Sequence, residues 1–234
     1  MRKINLASIA QIGFGDNDRL RYDAREIMDS LPSTAGGMQS TPMGKLVLVI
    51  GPSGVGKSVI LRALKERHPE LVFPKSATTR QRRLGEGDDL YRFVSREEFD
   101  VLIAQGKVLE WATVHGGDRY GTLLEEILSP MQRGKTVVRE VDVQGFESIR
   151  AHSLFSGSKA RFSLVSVFIL PESREQLIER IRKRAPMSDE ELARRLKSMD
   201  RELNVAPLCT VQIVNREGAL QQTIAEVEKV IAPR

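Results

Sequence analysis

Short apolar runs alternate with amphipathic segments along most of the chain, from Leu46 to the C-terminus. Runs rich in β-branched residues predict strands at 46–50, 71–73, 136–141, 163–170 and 210–214. Helix-spaced apolar residues follow the first run at 59–67 and the last run from Leu220 to Ile231. Strands that alternate with helices form a parallel sheet covered on both faces, so we predict an α/β fold with three layers, α/β/α.

The alternation is interrupted between Ser76 and Tyr120. This segment is charged, includes a helix opened by the capping box Ser95–Glu98, and then continues into the strand-like run KVLEWATV. We interpret it as an insertion with its own role. A second capping box, Ser188–Glu191, predicts another helix just after the arginine-rich stretch ERIRKR.

Composition excludes some classes of partner. No apolar run approaches the roughly 18 residues of a membrane span, so no membrane contact is expected. The chain has 36 Lys and Arg against 31 acidic residues, but aromatics are 5% and no long basic run contains them, so no nucleic acid partner is expected. The single cysteine, Cys209, lies in an apolar stretch and is interpreted as a buried side chain in a reducing, cytoplasmic protein.

The octapeptide GPSGVGKS has the spacing G-x-x-x-x-G-K-[ST] and stands between the first predicted strand and helix. Glycines in such a loop let backbone N–H groups point at phosphate oxygens, and the helix N-terminus adds a favourable field. Lys57 would reach the β- and γ-phosphates, and Ser58 would ligate Mg²⁺. The loop therefore predicts nucleoside triphosphate binding by Gly51, Pro52, Ser53, Gly54, Val55, Gly56, Lys57 and Ser58.

A phosphate loop alone does not distinguish a kinase from a GTPase or a motor ATPase. The segments SATTRQRRLGEGDDLYRFVSREEF, VLEWATVHGGDRYGT and EVDVQG follow it in order and, from about Lys45 to the end, the chain resembles the guanylate kinase family. These enzymes are P-loop nucleoside monophosphate kinases. The resemblance implies a P-loop core with an inserted small mixed α/β nucleotide-acceptor domain and a helical lid. It also implies Mg²⁺-dependent transfer of the ATP γ-phosphoryl group to GMP and dGMP.

The acceptor phosphate needs cationic groups that match a dianion. Arg80 and Arg83 can supply bidentate pairs and Tyr91 a hydroxyl, although paired arginines on a loop are by themselves more often a solvated surface. The resemblance assigns these three residues to the GMP phosphate. It also places Glu86 and Tyr120 at positions of nucleotide contact.

The choice of base is expected to depend on Glu110, together with Ser76 and Thr122. Guanine presents N1–H and the 2-amino group side by side, so one ionised carboxylate can accept from both, while hydroxyl groups can donate to O6. Adenine has an acceptor at N1 and would face the carboxylate with a lone pair. Taken alone, Glu110 fits an ion pair at a strand edge equally well.

The resemblance also implies an active-site carboxylate, Asp142, near the acceptor and Mg²⁺. The family usually has Asp where this chain has Glu140, which leaves the role of Glu140 open. Asn215 matches a position near the donor purine, although one Asn after a strand is more often a turn former.

Three arginines, Arg180, Arg184 and Arg195, are spaced like the catalytic arginines of the family's lid. A helical hairpin that folds over the nucleotides would exclude water and bring guanidinium groups to the transferring charge. The neighbouring Arg182 and Lys183 fit a solvated helix face better.

The predicted division of the chain follows from these assignments. It has an N-terminal extension and linker, partly disordered (1–43), a P-loop core (44–75, 127–175 and 203–234), a GMP-binding insertion (76–126) and a lid (176–202). Three loops, EGDDLY, HGGDRYGT and RAPM, depart from the family's length or composition and bring affinity and turnover into question.

Two other functions remain open at this point. A catalytically weak guanylate-kinase-like binding module would have a degraded phosphate loop, whereas Gly56, Lys57 and Ser58 are intact, and 43 leading residues are few for an attached interaction domain. A P-loop ATPase or GTPase acting on macromolecules would not require the acceptor arginines together with a guanine-matching carboxylate. The sequence does not indicate an oligomeric state.

Overall fold

A computed structural model describes residues 43–84, 86–87, 91–113, 117–158, 160–184 and 188–232. Almost all of the predicted N-terminal extension lies outside these ranges, as do parts of the loops EGDDLY, HGGDRYGT and RAPM. Within the described ranges, no helix has the length and apolar character needed to cross a bilayer.

The described elements alternate between strands and helices. The strands are β1 (Lys45–Ile50), β2 (Ser76–Thr78), β3 (Tyr91–Phe93), β4 (Val108–Thr113), β5 (Arg119–Leu123), β6 (Val137–Glu140), β7 (Ser163–Pro171) and β8 (Val211–Asn215). The α-helices are α1 (Lys57–Arg67), α2 (Arg96–Ala104), α3 (Leu124–Gln132), α4 (Val143–Ala151), α5 (Arg174–Arg184), α6 (Asp189–Leu203) and α7 (Leu220–Ile231). A short 3₁₀ helix, Ala206–Leu208, precedes β8.

The larger sheet has the strand order β6-β1-β7-β8 and is parallel throughout. The prediction of a parallel sheet is therefore confirmed. The prediction of a strand at 71–73 is wrong, because this segment forms only one isolated parallel bridge, between Val72 and Val137. Pro69 and Pro74 flank this run, and proline lacks the N–H that would extend the ladder.

Helices cover both faces of this sheet. Val47 and Val49 of β1 belong to a core cluster that includes apolar residues of α1, α5, α6 and α7. The alternate residues Leu46, Leu48 and Ile50 point to the other face and are fully buried as well, and α3 and α4 contact β1. A central strand buried on both faces explains why its sequence reads as a continuous apolar run.

The smaller sheet, of order β3-β2-β5-β4, is formed within the interrupted segment of the sequence. Strands β2 and β3 are parallel, and β5 pairs antiparallel with both β2 and β4. Helix α2 begins with the predicted capping box, in which Ser95 and Glu98 bond each other's backbone N–H. Its buried Phe99 packs with Ala77 and Leu123 under the sheet.

Candidate active site

The phosphate loop joins the end of β1 to the beginning of α1, at the carboxyl edge of the parallel sheet. None of its three glycines can be replaced without strain, because all three have a positive φ, and two of them also lack space for a Cβ. Gly51 has φ 146° and a Cβ there would lie 2.5 Å from the Ile169 carbonyl oxygen, and Gly56 has φ 107° with a Cβ position 2.6 Å from Asn215 Nδ2. The loop therefore has the tight backbone course that lets N–H groups converge on an anion.

Lys57 is held within this loop. Its ammonium group donates to the carbonyl oxygens of Gly51 at 2.6 Å and Pro52 at 3.2 Å, and lies 3.6 Å from Glu140 Oε1. Glu140, whose role the sequence left open, is thus an acidic neighbour of the phosphate-loop lysine.

Asp142 caps α4 beside this loop. Its Oδ1 accepts from the Gly145 N–H at 2.7 Å, and the N–H of the preceding Val141 donates to the Val49 carbonyl at the end of β1. The structure therefore brings Asp142 to the same sheet edge as Lys57. In the described part of the chain, no three His, Cys, Asp or Glu side chains cluster as a metal cage.

Asn215 supports the phosphate loop from β8. Its side chain is 5% exposed, Nδ2 donates to the Val55 carbonyl at 2.8 Å, and Oδ1 accepts from the Thr223 hydroxyl at 3.1 Å. These contacts are to protein groups, whereas the contact with the donor purine stays a prediction. The signal in the sequence, one Asn after a strand, did not distinguish a turn former from a buried support.

A second group of side chains surrounds Arg80 on the smaller sheet. Its Nε donates to the Tyr120 hydroxyl at 3.0 Å, Nη2 donates to Glu86 Oε1 at 2.6 Å, and its guanidinium carbon lies 5.4 Å from the ring centres of Tyr91 and Phe93. The charge-assisted bond from Arg80 lowers the pKa of Glu86 to about 2.

The backbone N–H of Arg83 donates to the other Glu86 oxygen at 3.0 Å. Arg80 therefore contacts Glu86, Tyr91 and Tyr120 directly, and Tyr91 packs edge-on against Tyr120. Arg83 adjoins them through its backbone. This arrangement forms one cationic and phenolic cluster.

The predicted base-reading residues lie side by side on three neighbouring strands. Thr122 of β5 is paired in register with Ser76 of β2 and with Glu110 of β4. The Thr122 hydroxyl donates to Glu110 Oε1. Thr122 is fully buried and the Glu110 side chain is 12% exposed, so the Glu110 carboxylate is largely removed from water.

Sequence reasoning missed Arg139. This β6 residue donates from Nη2 to Ser76 Oγ at 3.0 Å and lies 3.7 Å from Glu110 Oε1. Burial lowers the pKa of Arg139, an effect that the Glu110 carboxylate opposes. The available signal was a single basic residue inside the apolar run TVVREV.

Glu202, near the end of α6, was missed as well. Burial raises the pKa of this carboxyl group, which lies close enough to Lys57, Asp142 and the Ser53 backbone to interact with all three. One carboxylate in a charged helix gave no local signal.

Cys209 is half-buried and burial raises the pKa of its thiol, which agrees with a packing role.

The predicted lid residues lie on α5 and α6. Helix α5 packs near the phosphate loop, because a Cβ on Gly54 would lie 3.5 Å from Ile181 and 3.6 Å from Leu177. Arg180 belongs to this helix and Arg195 to α6, where its Nε donates to Glu191 at 2.9 Å. The side chain of Arg184 lies outside the described part of the structure. Contact of these arginines with a transferring phosphoryl group stays a prediction.

Comparison with known proteins identifies relatives of this arrangement. A family model described as guanylate kinase matches residues 43–233. A guanylate kinase of Trichormus variabilis is 44% identical over 195 residues, covering 82% of this chain and 94% of the relative, and one of Nocardia farcinica is 42% identical over 192 residues, covering 80% and 95%. A crystal structure of guanylate kinase from Anaplasma phagocytophilum superimposes with a TM-score of 0.57 at 26% identity, covering 81% of this chain and 85% of that one.

Proposed function

The chain belongs to the guanylate kinase family, a family of P-loop nucleoside monophosphate kinases, and from this premise we propose that it phosphorylates GMP and dGMP with ATP. The products are ADP and GDP or dGDP. The observation that carries the choice of acceptor is that Glu110, Thr122 and Ser76 lie side by side on the small sheet and adjoin the Arg80 cluster there. We call the space that these three side chains border the base pocket.

The pocket offers the hydrogen-bond pattern of guanine. Thr122 donates to one oxygen of Glu110, and the carboxylate retains lone pairs for the N1–H and 2-amino donors of the base. Ser76 Oγ accepts from Arg139, so its own proton remains available for guanine O6. Adenine would place an acceptor against the carboxylate, and such an unpaired buried group reduces binding by about 10⁴-fold or more.

The acceptor phosphate would take the position at which Arg80, Arg83, Tyr91 and Tyr120 converge. Glu86 accepts from Arg80 and from the backbone of Arg83, and holds this cluster together. A dianionic phosphate can accept from the guanidinium forks and from both phenols, which gives a position fixed by several charge-assisted bonds.

The metal is proposed to be Mg²⁺, held by the Ser58 hydroxyl, with the Asp142 carboxylate nearby. These are hard oxygen donors, and their small number fits a cation that keeps waters and takes its remaining ligands from substrate phosphates. When bound, Mg²⁺ neutralises charge on the β- and γ-phosphates.

In the proposed reaction, an oxygen of the GMP phosphate attacks the γ-phosphorus, and the bond to the β–γ bridging oxygen breaks with its electrons leaving on ADP. The attacking oxygen is already largely ionised near pH 7, so no general base is needed. Lys57 and the lid residues Arg180, Arg184 and Arg195 would stabilise the transferring charge, while the phosphate loop fixes the donor. Asn215 would hold that loop in position through its hydrogen bond to the Val55 carbonyl.

We further propose the division into core, acceptor domain (76–126) and lid (176–202), with closure of the lid excluding water that would otherwise hydrolyse ATP. We also propose a cytoplasmic location, where ATP and GMP would be available as substrates.

The test is a coupled assay of ADP formation with GMP, dGMP, AMP, CMP or UMP as acceptor, with and without Mg²⁺. We expect Mg²⁺-dependent turnover with GMP and dGMP and none with the other three. ADP formation at the same rate without any acceptor would instead indicate an ATPase, and GMP binding without turnover would indicate the binding module.

A further inference from the structure

Arg139 is a buried cation that joins the two sheets. Its strand, β6, belongs to the larger sheet, where Arg139 is in register with Leu48. Its side chain nevertheless extends to the beginning of the smaller sheet. Nη1 donates to the carbonyl of Pro74, which precedes β2, at 3.4 Å, and Nη2 donates to Ser76 Oγ of β2 at 3.0 Å. Only 10% of this side chain is exposed.

The Glu110 carboxylate is the counter-ion of this guanidinium. The Oε1 of Glu110 lies 3.7 Å from Arg139 Nη2, and the two side chains are 12% and 10% exposed. Burying one charge of such a pair without the other is strongly unfavourable, so the guanidinium stabilises the carboxylate and holds it at this position. Arg139 keeps its proton under all ordinary conditions, so it supplies a permanent positive charge at this position.

Arg139 also sets the direction of hydrogen bonding at Ser76. Because Ser76 Oγ accepts from Arg139, the hydroxyl proton must be donated elsewhere. The Thr122 hydroxyl is already engaged, since it donates to Glu110. Ser76 is therefore the hydroxyl with a proton available for a carbonyl oxygen of a bound base.

One hydrogen-bond donor of Arg139 has no acceptor in the described part of the structure. The Nε–H of Arg139 is buried and has no partner among the described residues. A buried donor left in this state is costly, and such groups in folded proteins are commonly completed by water or by a ligand.

We propose that Arg139 is a specificity-determining positioning residue for the acceptor base: its guanidinium fixes Glu110 as an acceptor and Ser76 as a donor, the pattern that the hydrogen-bonding edge of guanine requires. This inference rests on the proposed function. It gives a β6 residue a role in base choice, although β6 is a strand of the phosphate-loop sheet.

A purely structural role makes a different prediction. If Arg139 only ties the sheets together, its loss lowers stability and changes turnover equally for every acceptor. If it sets the polarity of the pocket, its loss weakens guanine recognition selectively. The two roles separate in the ratio of kcat/KM for GMP to that for inosine monophosphate, which lacks the 2-amino group and so gives Glu110 one donor fewer.

The experiment compares Arg139→Met with Arg139→Lys, and uses Arg161→Met as the matched control because Arg161 is exposed and outside the site. We expect Arg139→Met to lower the GMP to inosine monophosphate ratio by about tenfold or more, chiefly through the KM for GMP, since one charge-assisted contact is worth about that factor. The KM for ATP should change less than twofold. Arg139→Lys should restore most of the ratio, and the control should match the wild type.

An unchanged ratio in Arg139→Met, with kcat reduced equally for both acceptors, would overturn the inference. If Arg139→Met does not fold, Glu110→Gln is compared with the double variant Glu110→Gln/Arg139→Met, in which both charges are removed together. We expect the second substitution to lower kcat/KM for GMP by clearly less than tenfold there, because only the contact with Ser76 remains to be lost, and an additional loss of tenfold or more would overturn the inference. A wild type that does not phosphorylate GMP would refute the proposed function itself.

Discussion

Replacing Asn215 with Ala tests how the phosphate loop is supported. The substitution removes the donor to the Val55 carbonyl, leaving that acceptor without its 2.8 Å bond in a site where Asn215 is 5% exposed. An unsatisfied buried carbonyl costs about 1–3 kcal/mol. The Thr223 hydroxyl loses its acceptor too, but it can donate to the Ala219 carbonyl, already 3.3 Å away, so its contribution should be small.

We therefore expect the free energy of unfolding to fall by about 2 kcal/mol in urea denaturation, and the KM for ATP to rise because the loop loses its fixed course. Asn215→Asp should be more harmful than Asn215→Ala, since it places a second acceptor against the Val55 carbonyl. The matched control is Asn204→Ala at the exposed end of α6, where no comparable loss is expected. A raised KM for ATP with unchanged stability would refute the support role and favour direct contact with the purine.

Three further predictions concern the two phosphate sites and the surroundings of Glu110. Lys57→Ala should reduce turnover by about 10³-fold, with exposed Lys65→Ala as control, and an unchanged rate would refute the role of Lys57. Arg80 lowers the pKa of Glu86 from 4.5 to about 2, so the stabilisation by this pair is present above pH 4.5 and is lost as the pH falls towards 2. The melting temperatures of wild type and Glu86→Gln should therefore differ at pH 6 and converge near pH 2, and a constant difference would contradict the pairing. Gly145→Ala would place a Cβ 3.2 Å from Asp142 Oδ1 and 3.3 Å from Glu110 Oε2, so we expect overpacking of about 1 kcal/mol that raises the KM for GMP several-fold and the KM for ATP less; equal changes in both would argue against it.

The sequence predicted the larger sheet well because its strands are buried on both faces. Such strands need continuous β-branched and aliphatic runs, and β1 and β7 have them. The run at 71–73 has the same composition, but the prolines on either side limit it to the bonds that Val72 makes with Thr136 and Val138. The composition of this run did not reveal how many of its backbone N–H and C=O groups would form hydrogen bonds to a neighbouring strand.

The candidate site was predictable where its chemistry is local. The phosphate loop is continuous in sequence, and Lys57 was assigned from spacing alone. Arg139 was missed because its charge is neutralised by Glu110, which lies on a different sheet and 29 positions earlier in the chain. Glu140 was left open for a related reason, since its nearness to Lys57 depends on the pairing of β6 with β1.

The central claim is that the chain transfers a phosphoryl group from ATP, bound at the phosphate loop, to GMP, bound at the Arg80 cluster. The direct measurement is to incubate the protein with Mg²⁺, GMP and ATP labelled in its γ-phosphate, and to separate the products. We predict that the label appears in GDP, at a rate that depends on GMP. Label released as inorganic phosphate at a rate independent of GMP, with none in GDP, would contradict it.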